Sequence, residues 1–182
     1  MRLDLNKISF LNILYASKDL QRQVRDIRNH EDVRKHMYTN HIISVEEHAI
    51  WIASLAKNDQ KKTFLAFFEG RLFGIFNIYD INLKQGYAKW GFYVDPVFQQ
   101  ITLGSALEFK ILEFIFFELK LENLECEVFN TNNSVIRLHE RFGFKKSTSK
   151  IQNLYRNDIT PLILNVQNWN ISREKIKKLF LI

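Results

Sequence analysis

The stretch Tyr87-Ala88-Lys89-Trp90-Gly91-Phe92-Tyr93-Val94-Asp95-Pro96, continuing through Gln99-Gln100-Ile101-Thr102-Leu103-Gly104 into an apolar segment, decides the fold. It reads as a strand with a bulged end, a short turn and a long helix. Pro96 suits the strand's end, because proline has no N–H to give a sheet ladder. Ser105 to Leu119 is apolar on most sides, the pattern of a well-covered helix. Leu124 to Phe129 is a second strand. Its alternation sets Leu124, Cys126 and Val128 on one face and Glu125, Glu127 and Phe129 on the other. An Asn-rich turn follows, then a short helix from Asn132 to Phe142, closed by Gly143-Phe144.

Working outward, Lys7 to Asn12 reads as a first strand. Asp19 to Met37 has helical composition, broken near Asn29-His30. Ser44-Val45-Glu46-Glu47 is a capping-box pattern, in which Ser accepts from the first turn and Glu reaches back. The helix it opens carries Ile50, Trp51 and Leu55. Lys62 to Phe68 and Arg71 to Tyr79 form a hairpin about Glu69-Gly70. Lys150 to Arg156 and Pro161 to Val166 read as a closing strand pair, and Ser172 as the cap of a basic terminal helix. Two early helices, an antiparallel meander, then strand-helix-strand-helix-strand describe an α+β sandwich around one mixed sheet. Residues 1–182 are expected to form a single domain.

Composition bounds the chemistry. Apolar residues are 46% and aromatics 14%, with 16 Phe, which is ample for a core and argues against disorder. The single Cys126 excludes an internal disulfide and a cysteine metal cluster, and its apolar strand setting reads as a buried structural thiol. No N-terminal secretory pattern and no apolar run of membrane-spanning length is present, so the expectation is a cytoplasmic protein with no membrane partner. The net charge of +6 and pI near 9.4 favour anionic ligands. The basic residues scatter rather than interleave with aromatics, so no nucleic-acid partner is expected.

The turn between strand and helix offers unpaired backbone N–H groups at a positive dipole end, a geometry that binds pyrophosphate. Glu127 is the candidate base, or a holder of a substrate hydroxyl or ammonium; a solvated strand glutamate is the alternative. A backbone N–H near Val94, at the bulged strand end, is a candidate donor to a substrate carbonyl oxygen.

Gln99-x-x-x-x-Gly104 followed by an apolar helix, then Asn132, His139 and Gly143-Phe144, resembles the acetyl-CoA-binding half of the GNAT superfamily of N-acetyltransferases. The resemblance implies a mixed, mostly antiparallel central sheet flanked by helices on both faces. It implies acetyl-CoA as cosubstrate and no metal. Val94, Gln99, Gln100, Ile101, Thr102, Leu103, Gly104, Ser105 and Asn132 would hold the cosubstrate. Thr102 stands where the family usually has Gly, and a side chain there could crowd the pyrophosphate. His139 would protonate the departing thiolate, unless it is a surface histidine bonded to a neighbour. Arg28-Asn29-His30, Met37-Tyr38 and Ser44 with His48 and Trp51 resemble a narrower group, the nucleotide-sugar N-acetyltransferases of pseudaminic acid biosynthesis. That resemblance implies a UDP-linked 4-amino-4,6-dideoxy sugar as partner, with Met37, Tyr38, Trp51, Tyr93 and Glu127 lining its pocket and Arg28 nearby. Core packing is the alternative for Met37 and Trp51, and pairing with Asp32 the alternative for Arg28. Two rival functions are a ribosomal-protein N-terminal acetyltransferase and a non-enzymatic acyl-CoA-binding module. A homodimer is the expected assembly.

Overall fold

Local chemistry sets the element boundaries in the computed structural model, which describes residues 2–98, 101–147 and 158–181. In chain order the elements are β1 (Leu3–Asp4), β2 (Ile8–Asn12), α1 (Lys18–Asn29), α2 (Glu31–Arg34), α3 (Val45–Leu55), β3 (Lys62–Phe68), β4 (Arg71–Asn82), β5 (Tyr87–Val94) and α4 (Ile101–Glu113). There follow β6 (Asn123–Phe129), α5 (Asn133–Arg141), β7 (Lys145–Lys146), β8 (Ile159–Asn165), α6 (Val166–Lys177) and β9 (Phe180–Leu181). Ser17 caps α1, accepting from the Leu20 N–H at 3.2 Å. Ser44 and Glu47 complete the capping box of α3. The β3–β4 hairpin turns on Glu69 and Gly70, both at positive φ, as a tight primed turn requires. The break between α1 and α2 falls at His30, where the sequence places it.

Seven strands form one sheet in the order β2-β3-β4-β5-β6-β8-β7. Every neighbouring pair is antiparallel except β5 and β6. Helices cover both faces. On one side Ile111 and Leu107 of α4, Phe142 and Trp169 of α6 pack on Phe76 and Trp90. On the other, Val24 of α1 and Leu55 of α3 pack on Leu65 and Ile75. Each such fully buried apolar side chain contributes roughly 1.5–3 kcal/mol. This is the expected mixed, mostly antiparallel α+β arrangement.

The parallel β5–β6 pair is short. It joins Tyr87–Lys89 to Asn123–Glu125 and no further, although β5 continues to Val94 and β6 to Phe129. Past Lys89 the two strands therefore part and open a gap in the middle of the sheet.

Four details differ from the sequence reading. The bulge is not at the Val94 end of β5, which pairs with β4 in unbroken register from Lys89 to Val94; the irregularity lies in β4 between Tyr79 and Asn82, where Asp80 takes a positive φ. The helix expected from Ser105 begins at Ile101, so most of the anticipated turn is already its first turn. Its last residues, Phe114–Glu118, form a π-helical turn. Asn165 rather than Ser172 caps the terminal helix, accepting from the Asn168 N–H at 2.8 Å. Ser172 sits mid-helix against Gly143. The strand expected over Lys150–Arg156 lies outside the described residues.

Candidate active site

The gap between β5 and β6 is the centre of a cavity of about 940 Å³. Because it passes through the sheet, side chains from both faces reach it. The Asp95 N–H donates to the Phe73 carbonyl at 2.8 Å. Backbone donors alternate in direction along an antiparallel strand, so the N–H groups of Val94 and Phe92 turn away from β4 toward the gap. They have no β6 partner there.

The first turn of α4 ends at Gly104, which lines the cavity. A Cβ added at Gly104 would meet nothing within 4 Å. Packing therefore does not require glycine at this position, and its effect is to leave bare backbone facing the cavity. The N–H groups of a helix's first turn lack intrahelical acceptors. Thr102 is exposed and absent from the cavity wall, so its side chain does not crowd the cavity. Leu103 and Ser105 are buried and do not line the cavity. Gln99 and Gln100 lie outside the described residues. Asn132 precedes α5 and lines the cavity, its Oδ1 accepting from Ser134 Oγ at 3.0 Å.

His139 projects from α5 and is 4% exposed, so the surface alternative is excluded. Its Nδ1 lies 2.7 Å from Oε1 of Glu108, a fully buried residue of α4. Trp90, Phe92 and Phe144 surround the ring, with centroids at 5.4, 6.1 and 5.1 Å. Burial opposes a charged imidazole. The Glu108 carboxylate and the Cys126 thiol outweigh it and hold His139 well above its ordinary pKa range.

The opposite face carries Arg28, Met37, Tyr38, Trp51, Tyr93 and Glu127, all of which line the same cavity. The Glu127 side chain is only 11% exposed, so it is not a solvated strand glutamate. The Tyr38 phenol donates to it, and Lys89 Nζ lies 3.7 Å away. The Tyr38 ring meets Phe129 edge-on at 5.9 Å. Arg28 does not pair with Asp32. Its Nη2 donates to the Thr39 carbonyl at 2.8 Å, while Asp32 engages Lys35. Arg28 Nη1 is buried with no hydrogen-bond partner among the described residues, and burial lowers the guanidinium's pKa. Trp51 is half-buried, packing on the α1–α3 core with one surface and lining the cavity with another.

The structure thus gathers His139, Val94, Gly104, Asn132 and the six acceptor-side residues, Glu127 among them, around one cavity. Glu108 was missed in the sequence. Its signal was a carboxylate flanked by Leu107 and Phe109 inside an otherwise apolar helix face, where an unpaired charge is costly.

The GNAT acetyltransferase domain model matches residues 13–145, and the chain belongs to that family. It is an acetyl-CoA-dependent N-acetyltransferase. Among individual proteins, it is similar to acetyltransferase PseH of Campylobacter jejuni subsp. jejuni serotype O:2, with 31% identity over 117 residues, covering 64% of this chain and 71% of that protein. The crystal structure of C. jejuni PseH in complex with acetyl coenzyme A superposes with a TM-score of 0.69 at 20% identity, over 87% of this chain and 99% of that one. Spermidine N-acetyltransferase from Vibrio cholerae, in complex with CoA and spermine, superposes with a TM-score of 0.79 at 15% identity, over 91% and 99% of the two chains. The bare backbone at Gly104 and the β5 N–H groups that lack a β6 ladder partner fit a pyrophosphate and a pantetheine arm.

Proposed function

We propose that this enzyme acetylates the 4-amine of a UDP-linked 4-amino-4,6-dideoxy sugar by direct transfer. The observation that carries the reading is the junction of Tyr38 and Glu127, 89 residues apart in sequence, at the gap where the thioester would lie. Acetyl-CoA supplies the activated acyl group. Glu127 holds the acceptor ammonium and takes its proton. The Val94 N–H faces the carbonyl oxygen as negative charge builds there. His139 gives a proton to the departing sulfur, a role worth roughly 10²–10⁴-fold. Tyr38, Trp51 and Tyr93 offer flat faces to a uracil and a sugar ring, and the unpaired Nη1 of Arg28 suits a phosphate oxygen.

The fold neighbour crystallised with spermine raises a polyamine as a second reading. The charge of the wall favours the nucleotide sugar. Arg28, Lys35, Lys61 and Lys62 line the cavity against Asp32 and Glu127, which repels a polycation and attracts a diphosphate. The test is an acetyl-CoA-dependent assay against UDP- and TDP-linked 4-amino sugars, spermidine and ribosomal N-terminal peptides, read by mass spectrometry. Preferred acetylation of the UDP-linked sugar is expected. Preference for spermidine or a peptide overturns the reading.

A further inference from the structure

The buried Glu108–His139 pair does more than satisfy two polar groups. We propose that Glu108 is the positioning residue of the acetyl transfer, holding the His139 ring by Nδ1–H so that Nε2 keeps a proton to deliver to the leaving sulfur. This rests on the reading of His139 as the acid.

Three observations carry it. The Nδ1–Oε1 separation is 2.7 Å, that of a charge-assisted hydrogen bond. With the His139 ring held in its charged form both nitrogens carry protons, so Nδ1 donates to Glu108 and Nε2 keeps the other proton. Glu108 is fully buried, and its Oε2 has no hydrogen-bond partner among the described residues. A carboxylate so placed is costly unless a cation sits beside it. The imidazolium of His139 is that cation. Without Glu108 the apolar cage of Trp90, Phe92 and Phe144 would favour the neutral ring, a far weaker acid than the imidazolium.

Among the described residues, the titratable groups facing the imidazole are Glu108 from α4 and Cys126 from β6; β5 and the segment after α5 present only aromatic rings. In the transfer, the acceptor has first lost its ammonium proton through Glu127 to solvent; the amine lone pair then forms the bond to the acetyl carbon, and the second proton shed by that nitrogen passes to Glu127. The carbon–sulfur bond breaks with its electron pair on sulfur, and the Nε2 proton moves to that sulfur. The Nδ1 proton stays on Nδ1, hydrogen-bonded to Glu108. The neutral imidazole left behind then regains a proton from water, which resets the pair.

Glu108→Gln keeps the shape and an acceptor but removes the charge. The imidazole ¹⁵N resonances of His139 and the pH profile of turnover at saturating acetyl-CoA are measured in both proteins. In Glu108→Gln the His139 titration is expected to move to lower pH. The alkaline limb of turnover should move with it, with a loss of about tenfold for each unit the titration falls. Glu108→Gln should also slow a His139→Gln protein little further, since two residues acting through one step are not additive. An unmoved titration and an unmoved pH limb, with only a lower melting temperature, overturn the proposal and leave Glu108 structural. Wild-type turnover in His139→Gln would instead remove the acid reading itself, and the proposal with it.

Discussion

His139 is where a single residue's surroundings change what a substitution reports. Removing its side chain strands the Glu108 carboxylate inside the core, at a cost of roughly 3–5 kcal/mol. His139→Ala therefore confounds chemistry with folding. His139→Gln can still donate to Glu108 but offers no acid. It should lower turnover by about 10²–10⁴-fold while acetyl-CoA affinity stays near wild type, if, as proposed, Gly104 and the gap-facing backbone hold the cosubstrate. Turnover with a thiol-detecting reagent, alongside ligand titration, checks both. His139→Tyr alone is expected to fold poorly for the same reason, and to need Glu108→Leu beside it. The pair also sets a direction for stability. The folded pKa of His139 lies above its unfolded value, so the pair's contribution is complete below the unfolded pKa and is lost as pH rises through the folded one. Melting temperature should fall on the alkaline side, and much less so in Glu108→Gln.

Gly143 shows how one residue joins two elements. It ends α5 at φ +99°, a conformation that L side chains rarely adopt, and a Cβ there would lie 2.4 Å from Ser172 Oγ of α6. Gly143→Ala should cost about 2–5 kcal/mol, from backbone strain and overpacking together. A urea melt reads this. Adding Ser172→Gly should recover the packing part and not the strain. The Gly-Phe signature was legible in the sequence because it is local; its partner Ser172 was not, since contact with α6 depends on packing across the sheet. The same division runs through the molecule. The capping box at Ser44, the hairpin at Glu69-Gly70 and the break at His30 follow from neighbouring residues and were read correctly. The start of α4 was placed late because Gln99 to Gly104 has turn-like composition, although the helix already runs through Thr102 and Leu103. The strand bulge was set in β5, whereas register is a property of pairs and the defect lies in β4. Glu127 and His139 were found singly. That Tyr38 meets the first and Glu108 the second comes from contacts across 89 and 31 residues of chain, which no local pattern encodes.

At the scale of the whole molecule, one gap in one sheet is open to both faces, and the proposed reaction would bring one ligand from each. β5 and β6 pair for three residues and then separate, and everything proposed for function lies around that separation. The proposed cosubstrate side is built from α4, α5 and the open edge of β5, and the proposed acceptor side from α1, the segment around Met37-Tyr38, and α3. Two ligands that bind the native cavity and not the unfolded chain must each raise the melting temperature by mass action, about 2.7 kcal/mol at a hundred times the Kd. Acetyl-CoA should therefore stabilise the protein by itself, and Thr102→Gly should leave that shift intact, because Thr102 is exposed and off the cavity wall. Tyr38→Ala and Trp51→Ala alter only the acceptor side. Tyr38 is half-exposed but donates to the nearly buried Glu127, so its loss should lower the unliganded melt modestly, whereas Trp51 packs on the α1–α3 core and should lower it more. Both should raise the Michaelis constant for the UDP-linked amino sugar, with that for acetyl-CoA changing much less. Differential scanning fluorimetry with each ligand, followed by steady-state kinetics, separates the two sides. A Tyr38→Ala protein that binds the sugar as tightly as wild type would place the acceptor elsewhere, and would detach Glu127 from its role as the amine's proton acceptor.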